Sequence, residues 1–130
     1  MKLTHPIIIT PRLMAGVRVN DAWISVEWSR RPGDGGRARV RYIIDGPNFE
    51  YENDDLQTGV GGGHLQSMLG TLLAFLGAAA EAYDYERRTG RKSDNADLFP
   101  AEVTEWASQN SDEISMLQYE IEETPNLITA

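Results

Sequence analysis

The sequence predicts an α+β domain in which a four-stranded antiparallel meander is packed on one face by a long helix and followed by two short acidic helices. Apolar and polar residues alternate through about 13–53, which is the period of a β-strand. Turn-forming residues interrupt that alternation at short intervals, as expected for strands joined by hairpins. From Leu65 the apolar residues recur every three or four positions instead, which indicates a helix. A chain of 130 residues suits a single domain, 1–130.

The first two predicted strands, 13–19 and 22–31, lie on either side of the turn-forming pair Asn20 and Asp21. Alternation assigns one face of this hairpin to the core and the other to water. The residues predicted to face the core are Leu13, Ala15, Val17, Val19, Ile24, Val26 and Trp28.

The next two predicted strands, 37–45 and 49–53, each follow a run of turn formers, "RPGDGG" and "DGPN". Arginines 37, 39 and 41 line the polar face of the third strand. If the strands pair in sequence order, this row lies between Glu27 on one side and Glu50 and Glu52 on the other. Oppositely charged cross-strand pairs stabilise a sheet by about 0.2–1 kcal/mol each. We therefore expect ion pairs on this face rather than a nucleic-acid-binding patch.

The long helix is predicted over about 64–88, with Gly90 as its C-cap. Gly70, Ala74 and Gly77, here called the small-residue stripe, lie along one side of it. Glycine inside a helix costs about 0.5–1 kcal/mol relative to alanine, so the stripe suggests that another backbone approaches closely. A helix dimer through this stripe is the alternative, and it would make the protein a homodimer.

Two shorter helices are predicted over about 100–109 and 111–122, before a tail at 124–130. Pro100 suits the start of the first helix, and Asn110 followed by Glu113 resembles a capping box at the start of the second. Across the whole domain the expected core residues are Trp28, Val40, Tyr42, Leu69, Leu72, Leu76 and Trp106.

The net charge of −8 is concentrated at the carboxyl end, where residues 94–130 contain nine acidic and no basic side chains. Such a surface repels nucleic acid and anionic membranes, so we expect no direct binding to either. It favours a protein partner instead. The acidic residues that we expect at such an interface are Glu102, Glu105, Glu120, Glu122 and Glu123.

The amino terminus, "MKLTHPIIITPRLMAG", is too short and too interrupted by proline for a secretory signal. The chain has no cysteine, which excludes disulfides, thiolate metal sites and a cysteine nucleophile. We therefore expect a cytoplasmic protein.

Glycines 59 and 61–63 precede the long helix, which raises the question of a phosphate-binding loop. A P-loop requires lysine and then serine or threonine after its last glycine, but His64 and Leu65 follow here. The dinucleotide-binding pattern also fails, because it needs a parallel sheet and a small residue at position 64. A flexible strand-to-helix joint is the favoured interpretation of these glycines. The alternative is a ligand site formed by Gly61, Gly62, Gly63 and His64 with Asp54 or Asp55.

Asp94 and Glu105 have the spacing of the first and last ligands of a calcium loop. The positions between them that should carry oxygen ligands and glycine hold Ala96, Leu98 and Phe99 instead. Two histidines are too few for a histidine-rich metal site. We therefore predict no metal, no cofactor and no catalytic residues.

The segments "SRRPGDGGRARVRYIIDGP" and "DNADLFPAEVTEWASQNSDE" resemble parts of small uncharacterised accessory proteins encoded by actinobacterial phages, over residues 25–123. The resemblance implies a protein that is made in the cytoplasm of a bacterial host and acts on a host or phage protein. It implies no catalytic residues.

Three functional hypotheses follow from the sequence. The first is a non-enzymatic binding or regulatory protein that uses the acidic helices or the surface of the long helix. The second is a small-molecule or nucleotide-binding protein, with enzymatic activity left open, that uses the loop from Gly59 to His64. The third is an acidic mimic of nucleic acid.

Overall fold

The structure is a computed structural model that describes residues 7–10, 14–29, 38–57 and 65–123. Its five strands form one antiparallel sheet in the order β1-β2-β3-β4-β5. The strands are β1 (Ile7–Thr10), β2 (Met14–Val19), β3 (Ala22–Ser29), β4 (Ala38–Asp45) and β5 (Glu50–Gln57). The helices are α1 (Leu65–Thr89), α2 (Ala101–Gln109) and α3 (Ser111–Glu123), with a short 3-10 helix at Asp94–Asp97.

The predicted α+β fold, with an antiparallel meander, a long helix and two shorter ones, is confirmed. The sheet contains one strand more than expected, because β1 pairs with β2 from Ile7 opposite Val17 to Thr10 opposite Met14. In the sequence this strand is a four-residue segment between Pro6 and Pro11, and so short a segment does not predict a strand. Proline is tolerated at the ends of edge strands, which is where β1 lies.

Alternation along the strands gives the sheet a buried face and a more open face, as predicted. The buried face contributes Ala15, Val17, Val19, Ile24, Val26, Val40 and Ile44, all fully inaccessible to solvent. Helix α1 packs over β2 and β3 and also contacts α2, α3 and the 3-10 helix. The core therefore lies between the sheet and a layer of helices.

The core prediction is largely confirmed. Val40, Leu69, Leu72, Leu76 and Trp106 are buried. Trp28 and Tyr42 are partly buried and pack against the core cluster. The Nε1 donor of Trp28 is buried and has no hydrogen-bond partner within the described part of the chain.

The turn between β2 and β3 fixes the sheet to the helical layer. Asn20 adopts a positive φ of 53°, a conformation that asparagine tolerates better than most residues. Trp106 Nε1 on α2 donates a hydrogen bond to Asp21 Oδ1 at 3.0 Å, and Asn20 Nδ2 donates to Asn110 Oδ1. Asn110 Nδ2 in turn donates to the Trp106 carbonyl oxygen at 2.8 Å. The corner between α2 and α3 is thereby tied to one end of the sheet.

The small-residue stripe does not bring two backbones together within the described chain. A Cβ added to Gly70 would meet only the Ile121 side chain of α3, at an ordinary 3.5 Å, and one added to Gly77 would meet nothing within 4 Å. Among the described residues, the expected close approach of another backbone therefore does not occur at Gly70 or Gly77. Small residues here leave room for α3 near Gly70 and an open groove near Gly77.

Candidate protein-binding surface along the β5 edge

The glycine loop considered as a ligand site lies outside the described residues, and so do the side chains of three other candidates. The loop residues are Gly61, Gly62, Gly63 and His64. Asp55, Glu122 and Glu123 have described backbones but undescribed side chains. The register pairs Asp55 with Val40 and Asp54 with Arg41.

Asp54 belongs to an ion-pair cluster on the open face of the sheet. Arg41 Nε lies 3.2 Å from Asp54 Oδ1 and 3.0 Å from Glu52 Oε1, and Arg41 Nη1 lies 3.3 Å from Glu27 Oε1. These contacts confirm the predicted cross-strand pairing for Glu27 and Glu52, whereas Glu50 lies opposite Asp45 instead. Arg41 thereby links β3, β4 and β5, and Asp54 is one of its partners.

β5 forms one edge of the sheet, and an aromatic cleft opens beside it on the helix side. The cleft has a volume of about 380 Å³. Its floor includes Tyr51 and Phe99, whose rings meet edge to face with centroids 5.3 Å apart. Phe75 and Leu98 at its margin are 50% and 43% exposed, which is high for large apolar side chains. The remaining lining residues are Tyr42, Asn53 and Leu72.

A second depression, here called the hairpin groove, lies between the β4–β5 turn and α2. Its volume is about 310 Å³, and it is lined by Pro47, Asn48, Phe49, Glu102, Glu105, Trp106 and Gln109. The rings of Phe49 and Trp106 meet at 64° with centroids 6.2 Å apart. Gly46 makes this turn possible, since an added Cβ would stand 2.4 Å from the Phe49 ring.

A third depression, of about 350 Å³, lies beside β4 and β5 and is lined by Ile43, Ile44, Asp45, Glu50, Tyr51 and Glu52. We call the aromatic cleft, the hairpin groove and this depression the β5 edge surface. Its exposed carboxylates are Asp45, Glu50, Glu52, Glu102 and Glu105. Within the described ranges, no lysine or arginine lines any of the three depressions. The surface therefore combines an aromatic cleft on the helix side of β5 with exposed carboxylates on the outer face of the sheet and on α2.

The acidic residues predicted for an interface do not all lie together. Glu102 and Glu105 are exposed on α2 in the hairpin groove, whereas Glu120 on α3 is only 8% exposed. Burial removes most of the Glu120 carboxylate from any docking surface. The carboxylates of the C-terminal helices therefore do not form one continuous exposed face.

The small-residue stripe lines a different depression between α1 and α3, here called the α1–α3 groove. Its volume is about 440 Å³, and it is lined by Ala74, Gly77, Ala78, Glu81, Asp84, Ser111, Asp112, Ser115 and Gln118. Gly70 lies further along α1 and is buried beneath Ile121. Asp84 accepts a hydrogen bond from Ser108 Oγ at 2.6 Å. This groove has acidic residues but no aromatic residue along it.

The polar chemistry of the described side chains can be stated from their types and contacts. No group of three histidine, cysteine, aspartate or glutamate side chains that could hold a metal ion occurs among them. The polar groups of the aromatic cleft are tyrosine hydroxyls and the Asn53 amide, which donates to the Tyr51 hydroxyl at 3.2 Å. Among the described lining residues of the cleft, none is an aspartate, glutamate, histidine or lysine, the usual general bases. A search of the described helices for one long and apolar enough to cross a membrane found none.

Comparison of this chain with protein-family models, curated proteins and solved structures found no match.

The aromatic cleft was not predicted from the sequence, although its residues are visible there. Leu98 and Phe99 entered the predictions only as residues that replace calcium ligands, and Phe49 and Tyr51 only as part of the predicted strand 49–53. What the sequence could not show is that the segment around the 3-10 helix folds back onto β5. The Tyr51–Phe99 ring contact links residues 48 positions apart and depends on how α1 crosses the sheet.

Proposed function

We propose that this chain is a non-enzymatic binding protein whose partner is a protein with a basic, partly apolar segment, and that the β5 edge surface receives that segment. The observation that carries the proposal is an exposed aromatic cleft on one side of β5, together with five exposed carboxylates in the two neighbouring depressions of the β5 edge surface. Aromatic residues supply much of the energy of protein interfaces, and surface charges chiefly set partner choice and association rate.

The phage setting implied by the sequence resemblance remains a prediction, as does the homodimer. The proposal for the β5 edge surface requires neither. It depends on a partner whose lysine or arginine side chains reach Glu50, Glu52, Glu102 or Glu105 while apolar side chains enter the cleft.

Titration calorimetry with two peptide probes tests the proposal. One probe contains equal numbers of lysine and valine in two blocks, and the other replaces every lysine with glutamate. We expect the lysine probe to bind and the glutamate probe to show no heat of binding, with affinity falling as salt rises. Absence of binding at low salt by the lysine probe and by a peptide of the same composition in alternating order would overturn the proposal.

Two double variants locate the site. Glu102→Gln with Glu105→Gln removes two carboxylates from the hairpin groove, and Glu81→Gln with Asp112→Asn removes two from the α1–α3 groove. Both variants lower the net negative charge equally. We expect the first to weaken the lysine probe about three- to tenfold and the second less than about twofold, because rim charges act locally at moderate salt. An equal loss of affinity in both variants would mean that binding of the probe depends only on the net charge of the protein.

A small-molecule ligand in the aromatic cleft is the second candidate function. A volume of about 380 Å³ is within the range of about 300–1,000 Å³ typical of ligand pockets. A thermal-shift screen with nucleotides and aromatic metabolites tests it, with Phe75→Ser as the variant that should abolish any stabilisation. If no compound raises the melting temperature, this candidate fails and the protein-binding proposal is unaffected.

The nucleic-acid mimic receives less support from the geometry. Mimicry requires carboxylates spaced along one exposed face, but Glu120 is buried while Glu102 and Glu105 are exposed on another helix. An acidic mimic would also attract the lysine probe by charge, so the two double variants, which distinguish a localised site from a diffuse acidic surface, separate the two hypotheses.

A further inference from the structure

β5 has a backbone edge that no described strand occupies. The sheet order places β4 on one side of β5 and ends there. An edge of this kind presents a row of N–H and C=O groups with which another extended chain can pair.

The hydrogen-bonding pattern of the β4–β5 hairpin determines which residues of β5 direct their backbone N–H and C=O groups toward that edge. Gly46 N donates to the Phe49 carbonyl oxygen at 2.9 Å, so Gly46 and Phe49 form a hydrogen-bonded pair. Pairs in an antiparallel ladder alternate between hydrogen-bonded and non-hydrogen-bonded types. Glu50 and Glu52, opposite Asp45 and Ile43, therefore fall in non-hydrogen-bonded pairs. Their backbone N–H and C=O groups point away from β4, toward the open edge.

The two faces of β5 differ in chemistry at the same positions. Glu50 and Glu52 are exposed on the outer face of the sheet, where Glu52 also contacts Arg41. Tyr51 and Asn53 alternate with them on the inner face and line the aromatic cleft. A strand paired with β5 would have every second side chain beside the two glutamates and the intervening side chains beside the cleft.

A second copy of this chain is a poor occupant of the edge. Antiparallel pairing of two β5 strands would bring glutamates of one copy beside glutamates of the other. Directly opposed like charges destabilise strand pairing. Acidic side chains on an edge strand thus oppose self-association while leaving the edge open to a basic strand.

We propose that the partner segment binds as an added β-strand along β5, with basic residues opposite Glu50 and Glu52 and apolar residues entering the aromatic cleft. This inference rests on the proposed function and adds the conformation and residue pattern of the bound segment. It predicts that a basic segment binds well only when basic and apolar residues alternate.

Two peptides of identical composition test the pattern. Both are as long as β5, eight residues. One alternates lysine and valine, and the other is the blocked lysine–valine probe. We expect the alternating peptide to bind at least about tenfold more tightly, since only it can place all its valines toward the cleft while its lysines face the glutamates. Equal binding would leave the proposed function standing and overturn strand addition. Failure of both peptides would overturn both proposals.

Amide hydrogen exchange gives a readout that needs no substitution. In the free protein we expect the Tyr51 and Asn53 amides to be protected by pairing with β4, and the Glu50 and Glu52 amides to exchange quickly. The alternating peptide should slow exchange at Glu50 and Glu52. Fast exchange at both residues in the saturated complex would contradict strand addition.

Glu52→Pro and its matched control Glu52→Gln separate the contribution of the backbone N–H to peptide binding from that of the side-chain charge. Proline removes the outward N–H of residue 52, a change that edge strands tolerate, whereas glutamine removes the charge and keeps the N–H. We expect Glu52→Pro to weaken the alternating peptide about tenfold beyond Glu52→Gln, because the peptide loses a backbone hydrogen bond. Circular dichroism confirms that both variants fold. Equal affinities in folded variants would show that the backbone edge is not used.

Discussion

The β5 edge surface and the α1–α3 groove both include acidic side chains, but they differ in the residues that accompany these side chains. Under the first lie aromatic rings packed edge to face, Tyr51 on Phe99 and Phe49 on Trp106. Along the second lie small residues such as Ala74 and Gly77. Charge alone therefore does not identify a binding surface in an acidic protein. Apolar surface that stays exposed, together with unpaired backbone, is the stronger sign.

The largest expected effect concerns the ring that supports the hairpin groove. Trp106→Ala removes a buried side chain, its contact with Phe49 and its hydrogen bond to Asp21. We expect a loss of about 3–5 kcal/mol in the free energy of unfolding, measured by urea denaturation. Trp106→Phe keeps an aromatic ring, and its loss of unfolding free energy should be less than half of that for Trp106→Ala. A cost below about 1 kcal/mol for the alanine variant would mean that α2 is not anchored through this residue.

The next effect tests how tightly the hairpin groove is packed. Gly46→Ala would place a Cβ 2.4 Å from the Phe49 ring, so the ring must move against Trp106. We expect a loss of about 1–3 kcal/mol, typical of overpacking, in the same denaturation measurement. The double variant Gly46→Ala with Phe49→Ala is the control, and the cost of Gly46→Ala should largely vanish in that background.

A smaller effect concerns the ion-pair cluster beside β5. Arg41→Gln leaves the carboxylates of Glu27, Glu52 and Asp54 without their shared cation. The guanidinium is about one third exposed, so we expect a loss of only about 1 kcal/mol, and less at high salt. Arg18→Gln on an exposed site should cost less than about 0.5 kcal/mol. A salt-independent cost for Arg41→Gln would contradict an electrostatic origin.

The smallest effect has the opposite sign and comes from the α1–α3 groove. Gly77→Ala adds a methyl group to open space within a helix, so we expect a gain of about 0.5–1 kcal/mol in thermal or urea unfolding. If the stripe instead forms a close helix dimer, the same substitution would destabilise the protein and shift its mass in analytical ultracentrifugation. This variant therefore tests the stripe hypothesis as well.

The fold was predictable because its signals are local. Alternation located β2 to β5, and the change of period placed the start of α1 at Leu65, one residue from the predicted position. β1 was missed because four residues between prolines carry too short a pattern. The cross-strand ion pairs of Arg41 followed from sequence order, since each strand of the meander pairs with the next.

The candidate site was less predictable because it depends on tertiary contacts. Glu102 and Glu105 were singled out by charge, but their position beside Phe49 depends on the packing of α2 against the β4–β5 turn. Glu120 was assigned to the same surface, yet the helical period places it among buried neighbours of α3 such as Leu117 and Ile121. The stripe glycines suggested close packing, whereas the packing of α3 on α1, which no local pattern encodes, leaves Gly77 in an open groove.

The most direct test of the binding claim is a chemical-shift map of the isotope-labelled protein titrated with the alternating lysine–valine peptide. The β5 edge surface predicts saturable shifts at Glu50, Glu52, Phe99 and Glu102, with the α1–α3 groove residues Gly77 and Ser115 unchanged. Shifts concentrated at Gly77 and Ser115, or no saturable shift in β5, would contradict the assignment of this edge as the binding surface.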